Sequence, residues 1–144
     1  RCADVTGVQT CALPICWDGG RLAMILAVLE ARCGIPFAGL DVYLNVAGGM
    51  KVSEPAADLA VAAALLSARE DSALPADTVL LGEISLSGAL RPTPQTENRL
   101  KEAQKLGFTA AIAPAGGKTI GASGLSLTTM GDLTSFVGEV FGAG

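Results

Sequence analysis

The chain has 144 residues, 50% apolar and 17% charged, which is enough for one domain with a substantial core. A formal net charge of −4 and an isoelectric point near 4.7 exclude a wholesale basic nucleic-acid binder, so any DNA contact must come from a local patch. With no histidine, Ser-His-Asp and Cys-His catalysis within the chain are excluded and the commonest metal ligand is missing.

Residues 1–16, RCADVTGVQTCALPIC, have neither helical nor strand periodicity and hold Cys2, Cys11 and Cys16; the remaining cysteine is Cys33. No C-x-x-C pair occurs, so neither a zinc site nor a disulfide framework is expected, and a reducing cytoplasm fits best. Val5 to Ile15, VTGVQTCALPI, matches the in-frame translation of a widely used sequencing adapter. The segment is therefore read as non-native and set aside, in preference to a native arm or a signal peptide, whose apolar stretch Pro14 would interrupt. The domain proper is expected over residues 17–144.

Asp18 is a candidate N-cap and Gly34 a candidate C′ residue for a first helix, with Leu22, Ile25, Leu26 and Leu29 on one face. Residues 40–47 alternate, with Val42, Leu44 and Val46 opposite Asp41, Tyr43 and Asn45, and predict a half-buried strand ended by Gly48-Gly49. Ser53 is expected to cap a buried, alanine-rich helix over residues 55–69, with Asp58 as a capping acid near the positive end of its dipole. A polar loop then leads to a short buried strand over residues 78–81.

Gly82-Glu83 and a reversal at Ser87-Gly88 predict strand, turn, strand, after which Pro92 and Pro94 introduce an amphipathic helix over residues 94–106. At about 100° per residue, Leu100, Ala103 and Leu106 form its inner face, Arg99 its flank, and Lys101 and Lys105 its outer side. Glu97 and Lys101 have the spacing of a surface ion pair. Ser85 and Ser87 read as turn hydroxyls, with no lysine or histidine nearby in sequence to activate them.

Residues 108–113 predict a strand closed by Pro114, residues 125–128 an edge strand, and Asp132 the start of a closing helix with Leu133, Phe136, Val137 and Val140 inward. The intervening AGGKT, Ala115 to Thr119, is not a phosphate loop. Ile112 stands where the first glycine is needed, and no helix pattern follows.

Two stretches, MKVSEPAADLAV (Met50 to Val61) and GEISLSGALRPTPQTENRL (Gly82 to Leu100), resemble the proteolytic domain of Lon. More closely, they resemble the Lon-like C-terminal domain of the RadA (Sms) family of bacterial DNA-repair proteins, with a likeness running from Trp17 to the C-terminus. The resemblance implies an α+β fold of the Lon proteolytic type, N-terminally truncated because strands preceding the first helix in such domains are not represented.

Lon-type peptidases use a serine in a Gly-Pro-Ser-Ala-Gly motif and a lysine in a later helix after Gly-Glu-(Ile/Val). Laid against that pattern without a gap, Glu54-Pro55-Ala56-Ala57-Asp58 covers the serine motif, so Ala56 takes the nucleophile position and Arg99 the lysine position. Ala56 has no nucleophilic atom, and a guanidinium with a pKa above about 12 is no general base near neutral pH. No catalytic residue and no metal site is therefore expected. Arg99 would need an acidic partner or solvent in the former groove, and Asp58 and Glu83 are the candidates.

The RadA resemblance implies a hexameric, ATP-driven motor for DNA repair and recombination on branched DNA. In it, this domain would form a ring scaffold that also contacts duplex DNA. ATP and zinc would belong to upstream domains, with no cofactor in this stretch and no membrane partner. Arg91, Lys101 and Lys105, with Lys51 and Lys118, are the candidates for phosphate contacts. Two other classes stay open. A divergent Ser-Lys peptidase would bring a serine and a lysine within hydrogen-bond reach, and a ring-assembly module without DNA contact would have a flat or negative surface around residues 91–105.

Overall fold

A computed structural model of the chain describes residues 4–5, 17–116 and 124–142. Helix α1 (Gly19–Cys33) begins as expected, with the Asp18 side chain accepting from Arg21 N at 2.8 Å, and ends at Gly34 in the left-handed conformation. Its buried residues Ile25, Val28 and Leu29 face α2 (Asp58–Glu70) and the closing helix α4 (Leu133–Val140). Helix α2 is buried along Leu59 and Val61 to Leu66, as expected of a helix apolar almost all round. Asp132 caps α4 by accepting from Ser135 N at 2.8 Å.

Strands β3 (Thr78–Leu80), β6 (Ala110–Pro114) and β7 (Ser126–Met130) form a parallel sheet in the order β3-β6-β7. Thr78 pairs with Ala110, and Ala110 with Ser126. Val79, Leu81, Ala111, Ala113 and Leu127 gather with Leu100 and Ala103 of α3 (Thr96–Lys105). Leu80 and Ile112, at the intervening positions, pack against the main core with residues of α1, α2 and α4. The sheet is thus held between helices, the arrangement that suits parallel strands. Two short antiparallel pairs accompany it: β4 (Glu83–Ile84) with β5 (Leu90–Arg91), and β1 (Asp4–Val5) with β2 (Leu44–Asn45). The architecture is mixed α/β with a parallel sheet.

Several expectations need correction. The strand predicted over residues 40–47 shrinks to Leu44–Asn45, because Asp41 and Ala47 are exposed and backbone pairing covers only those two residues. Ser53 caps nothing: Glu54 holds the cap position without a side-chain bond, and a 3-10 turn (Pro55–Ala57) leads into α2. Leu106 is 77% exposed, since α3 stops at Lys105 and the helical period that would turn Leu106 inward ends with it. Lys118 and the rest of residues 117–123 lie outside the described residues.

Candidate functional site

The stretch from Gly82 to Leu100 meets the start of α2 through backbone and side-chain bonds. Gly82 N donates to Ala56 O at 2.8 Å, and Leu59 N donates to Gly82 O at 3.1 Å. Gly82 has φ 156°, and a Cβ there would come within 2.9 Å of the Pro114 ring, so the close approach depends on glycine. Beyond it, β4 and β5 form the expected reversal: Gly88 N donates to Ser85 O at 2.9 Å, with Gly88 at φ 86°. The Ser85 and Ser87 hydroxyls lie 2.8 Å apart at the turn.

Asp58 is fully buried, and it does not cap its own helix. Its carboxylate accepts from Arg21 Nε at 2.5 Å, Arg21 Nη2 at 2.6 Å and Ile84 N at 3.0 Å. The hydrogen bond to Asp58 holds the Arg21 guanidinium above its ordinary pKa, against the opposing effect of burial, and Glu83 lies 3.8 Å from Arg21 Nη2. Arg21 was not anticipated as this partner. The available signal was a cation in the first turn of a helix, where the dipole disfavours it unless an acid lies close by.

Arg99 sits on the flank of α3, and its partner is neither Asp58 nor Glu83. Its Nη2 donates to Glu54 Oε2 at 2.6 Å, while its Nε reaches Pro94 O at 3.3 Å. Asp58 is engaged by Arg21, and Glu83 is also drawn to Arg21, which leaves Glu54 beside the 3-10 turn to meet Arg99. Ala56 is 7% exposed. Among the described residues no serine hydroxyl is hydrogen-bonded to a lysine amine.

Two of the cationic candidates are already paired with carboxylates. Lys101 pairs with Glu97 at 2.7 Å and Lys105 with Glu102 at 2.6 Å, so the outer side of α3 is charge-balanced. Arg91 lies on β5 opposite Glu83 in register, and Lys51 lies before the 3-10 turn; both are exposed and neither has an ion-pair partner among the described residues. Among the described residues, no group of three or more Cys, Asp or Glu could hold a metal, and no helix is long and apolar enough to cross a membrane.

Residues 22–117, well over half of the chain, match the family described as subunit ChlI of Mg-chelatase. The fold and this match define a ChlI-like, Lon-protease-like domain region. DNA repair protein RadA of Brucella abortus is 65% identical over 100 residues, covering 69% of this chain and 21% of that protein. The RadA protein of Synechocystis is 50% identical over 114 residues, covering 79% and 23%. That of Pseudomonas aeruginosa is 52% identical over 99 residues, covering 69% and 22%. The chain belongs to the RadA family and carries its ChlI-like, Lon-protease-like C-terminal region. It spans about a fifth of the length of these curated relatives.

Proposed function

We propose that this chain is a non-proteolytic Lon-like scaffold that contacts DNA within an ATP-dependent repair and recombination protein acting in branch migration. The carrying observation is the contact between α3 and Glu54, the residue before the 3-10 turn. Ala56 stands at the position matched to the Lon serine, and Arg99, at the position matched to the lysine, is tied to Glu54 at 2.6 Å. Neither of these two side chains can act as a nucleophile or as a general base. The Ser-Lys peptidase reading lacks its required contact among the described residues.

The DNA part of the reading draws on the name of the relatives, DNA repair protein RadA. Lys51 and Arg91 are the first candidates for phosphate contacts because neither is in an ion pair among the described residues, and Glu83, opposite Arg91 in register, is drawn to Arg21. Lys101 and Lys105 would have to exchange Glu97 and Glu102 for phosphate, and Lys118 is proposed from sequence alone. The wider reading places the domain in a cytoplasmic hexameric ring, with ATP and zinc bound by other regions of the protein and residues 1–16 non-native.

The test is fluorescence anisotropy of a labelled duplex titrated with the chain at two salt concentrations, with oligomeric size followed in parallel. Binding that weakens steeply with salt supports phosphate contacts. No binding by a folded, ring-forming sample would leave a ring-assembly module without DNA contact, which the charge-balanced outer side of α3 favours. Hydrolysis of a fluorogenic peptide by the chain would overturn the non-proteolytic part.

A further inference from the structure

Of the cations among the described residues, Arg21, Arg69, Arg99, Lys101 and Lys105 each meet a carboxylate, which leaves Arg32, Lys51 and Arg91. Arg32 stands in the last turn of α1, where a cation suits the helix dipole, and its side chain is exposed. Its stem lies against the β4–β5 turn: a Cβ at Gly88 would come within 3.1 Å of Arg32 Cγ and 3.4 Å of Arg32 Cβ. Arg91 follows Gly88 by three residues on the same hairpin, a reach of at most about 11 Å for extended backbone.

The turn between these two arginines is fixed and carries an apolar tip. Leu133 N donates to Gly88 O at 2.8 Å and Leu90 N to Gly131 O at 2.9 Å, so the hairpin is tied to the segment that starts α4. At its tip Leu86 is 75% exposed, between Ser85 and Ser87. Two acids flank the hairpin. Glu83 is drawn to Arg21, and Asp132, whose backbone bridges to Ala89, is engaged in capping α4. Of the four large apolar side chains that stand out into solvent, only Leu86 lies on an element that also holds Arg91 and packs against Arg32.

We propose that the β4–β5 turn is where this domain meets branched DNA, with Arg32 and Arg91 on backbone phosphates of one strand and Leu86 against a base left unstacked at the branch. Phosphates recur every ~3.4 Å of helix axis along a strand, so two guanidiniums at this spacing find acceptors on the same backbone. Guanidinium forks suit phosphate oxygens, and Arg32 and Arg91 have no carboxylate pairing to give up. A fully paired duplex offers Leu86 little, since its bases are stacked. A branch exposes base faces, and covering one removes apolar surface from water on both sides; leucine is among the side chains that proteins wedge between bases in this way. The inference rests on the DNA-contact reading above and adds to it Arg32, Leu86 and the form of DNA preferred.

The full chain is titrated by anisotropy, over a salt series, with a fully paired duplex and with a forked duplex of equal length carrying 2-aminopurine at the branch. Tighter binding to the fork, with a change in 2-aminopurine fluorescence, is expected. Arg32→Gln should lower the salt slope by about one on both DNAs. Leu86→Ser should leave the slope intact, reduce the preference for the fork about ten-fold, as expected for losing a half-buried leucine, and abolish the 2-aminopurine response. Both side chains are exposed, so both variants should melt with the wild type.

Salt-dependent binding by the wild type with an unchanged slope in Arg32→Gln, or with a fork preference that Leu86→Ser leaves intact, overturns the assignment of this turn and leaves the DNA-contact reading standing. Equal affinity for fork and duplex does the same. No binding of either DNA by the folded chain overturns the reading and the inference together, and gives the hairpin to another kind of partner.

Discussion

The guanidinium of Arg21 holds the fully buried carboxylate of Asp58 through two bonds, of 2.5 and 2.6 Å, and thereby joins the first turns of α1 and α2. The same carboxylate accepts from Ile84 N, so a single acid also anchors β4. The two ends of the pair are not equally exposed, at 25% for Arg21 and 0% for Asp58. Arg21→Gln strands a buried carboxylate and should cost about 3–5 kcal/mol. Asp58→Asn leaves a guanidinium that can reach water and Glu83, and should cost less. Arg21→Met with Asp58→Leu should recover much of the loss, because an apolar pair removes both desolvation costs. Urea unfolding of the three variants checks the order; a larger loss in Asp58→Asn than in Arg21→Gln contradicts it.

Gly82 lies where β3, the 3-10 turn and α2 come together. A methyl group there would sit 2.9 Å from Pro114 Cγ and 3.2 Å from its Cδ, and the proline ring is itself buried. Overpacking of this kind costs roughly 1–3 kcal/mol. Gly82→Ala should be destabilised by at least that amount, since its backbone at φ 156° adds a conformational cost, whereas Gly107→Ala, with nothing within 4 Å of its added methyl, should suffer only from its backbone conformation at φ 94°. Thermal melts should show the larger loss in Gly82→Ala, the variant that adds a clash to the backbone cost.

The elements that carry strong period or cap chemistry were legible in the sequence. Asp18, Gly34 and Asp132 stand where α1 and α4 begin or end, and the reversal at Ser87-Gly88 falls as its residue types require. Alternation alone was a poorer guide at residues 40–47, because a strand needs a backbone partner as well as a two-sided pattern, and only Leu44 and Asn45 have one. The partner of Arg99 was illegible for a related reason. Asp58 and Glu83 were near in the motif, but Arg21, 37 residues from Asp58 along the chain, had prior contact with both, and local sequence carries no record of that competition.

The N-cap of α4 has a pH signature. The hydrogen bond from Ser135 N, helped by the Ser135 side chain, holds the Asp132 carboxyl below its ordinary pKa. A lowered folded-state value means that the cap contributes stability above the unfolded pKa, near 3.9, and loses it as pH falls through the lower folded value. Asp132→Asn keeps a capping oxygen but no titration. Melting temperatures of wild type and Asp132→Asn should therefore converge as pH is lowered below about 4. A constant gap down to acid pH would show that the cap is insensitive to its own protonation.

On the proposed DNA-contact reading, charge removal at single positions distinguishes which cations meet phosphate. Arg91 lies opposite Glu83 in the β4–β5 pair, so reversing its sign would set two carboxylates side by side and confound binding with folding. Neutral variants avoid this. Arg91→Gln and Lys51→Gln should each weaken duplex binding uniformly across sequences and reduce the salt slope by about one. Lys101→Gln and Lys105→Gln should have smaller effects, because Glu97 and Glu102 already occupy those amines at 2.7 and 2.6 Å. Anisotropy titrations over a salt series measure all four slopes. If the α3 lysines change the slope and Arg91 and Lys51 do not, DNA lies along the outer side of α3, and the ion pairs there must open when it binds.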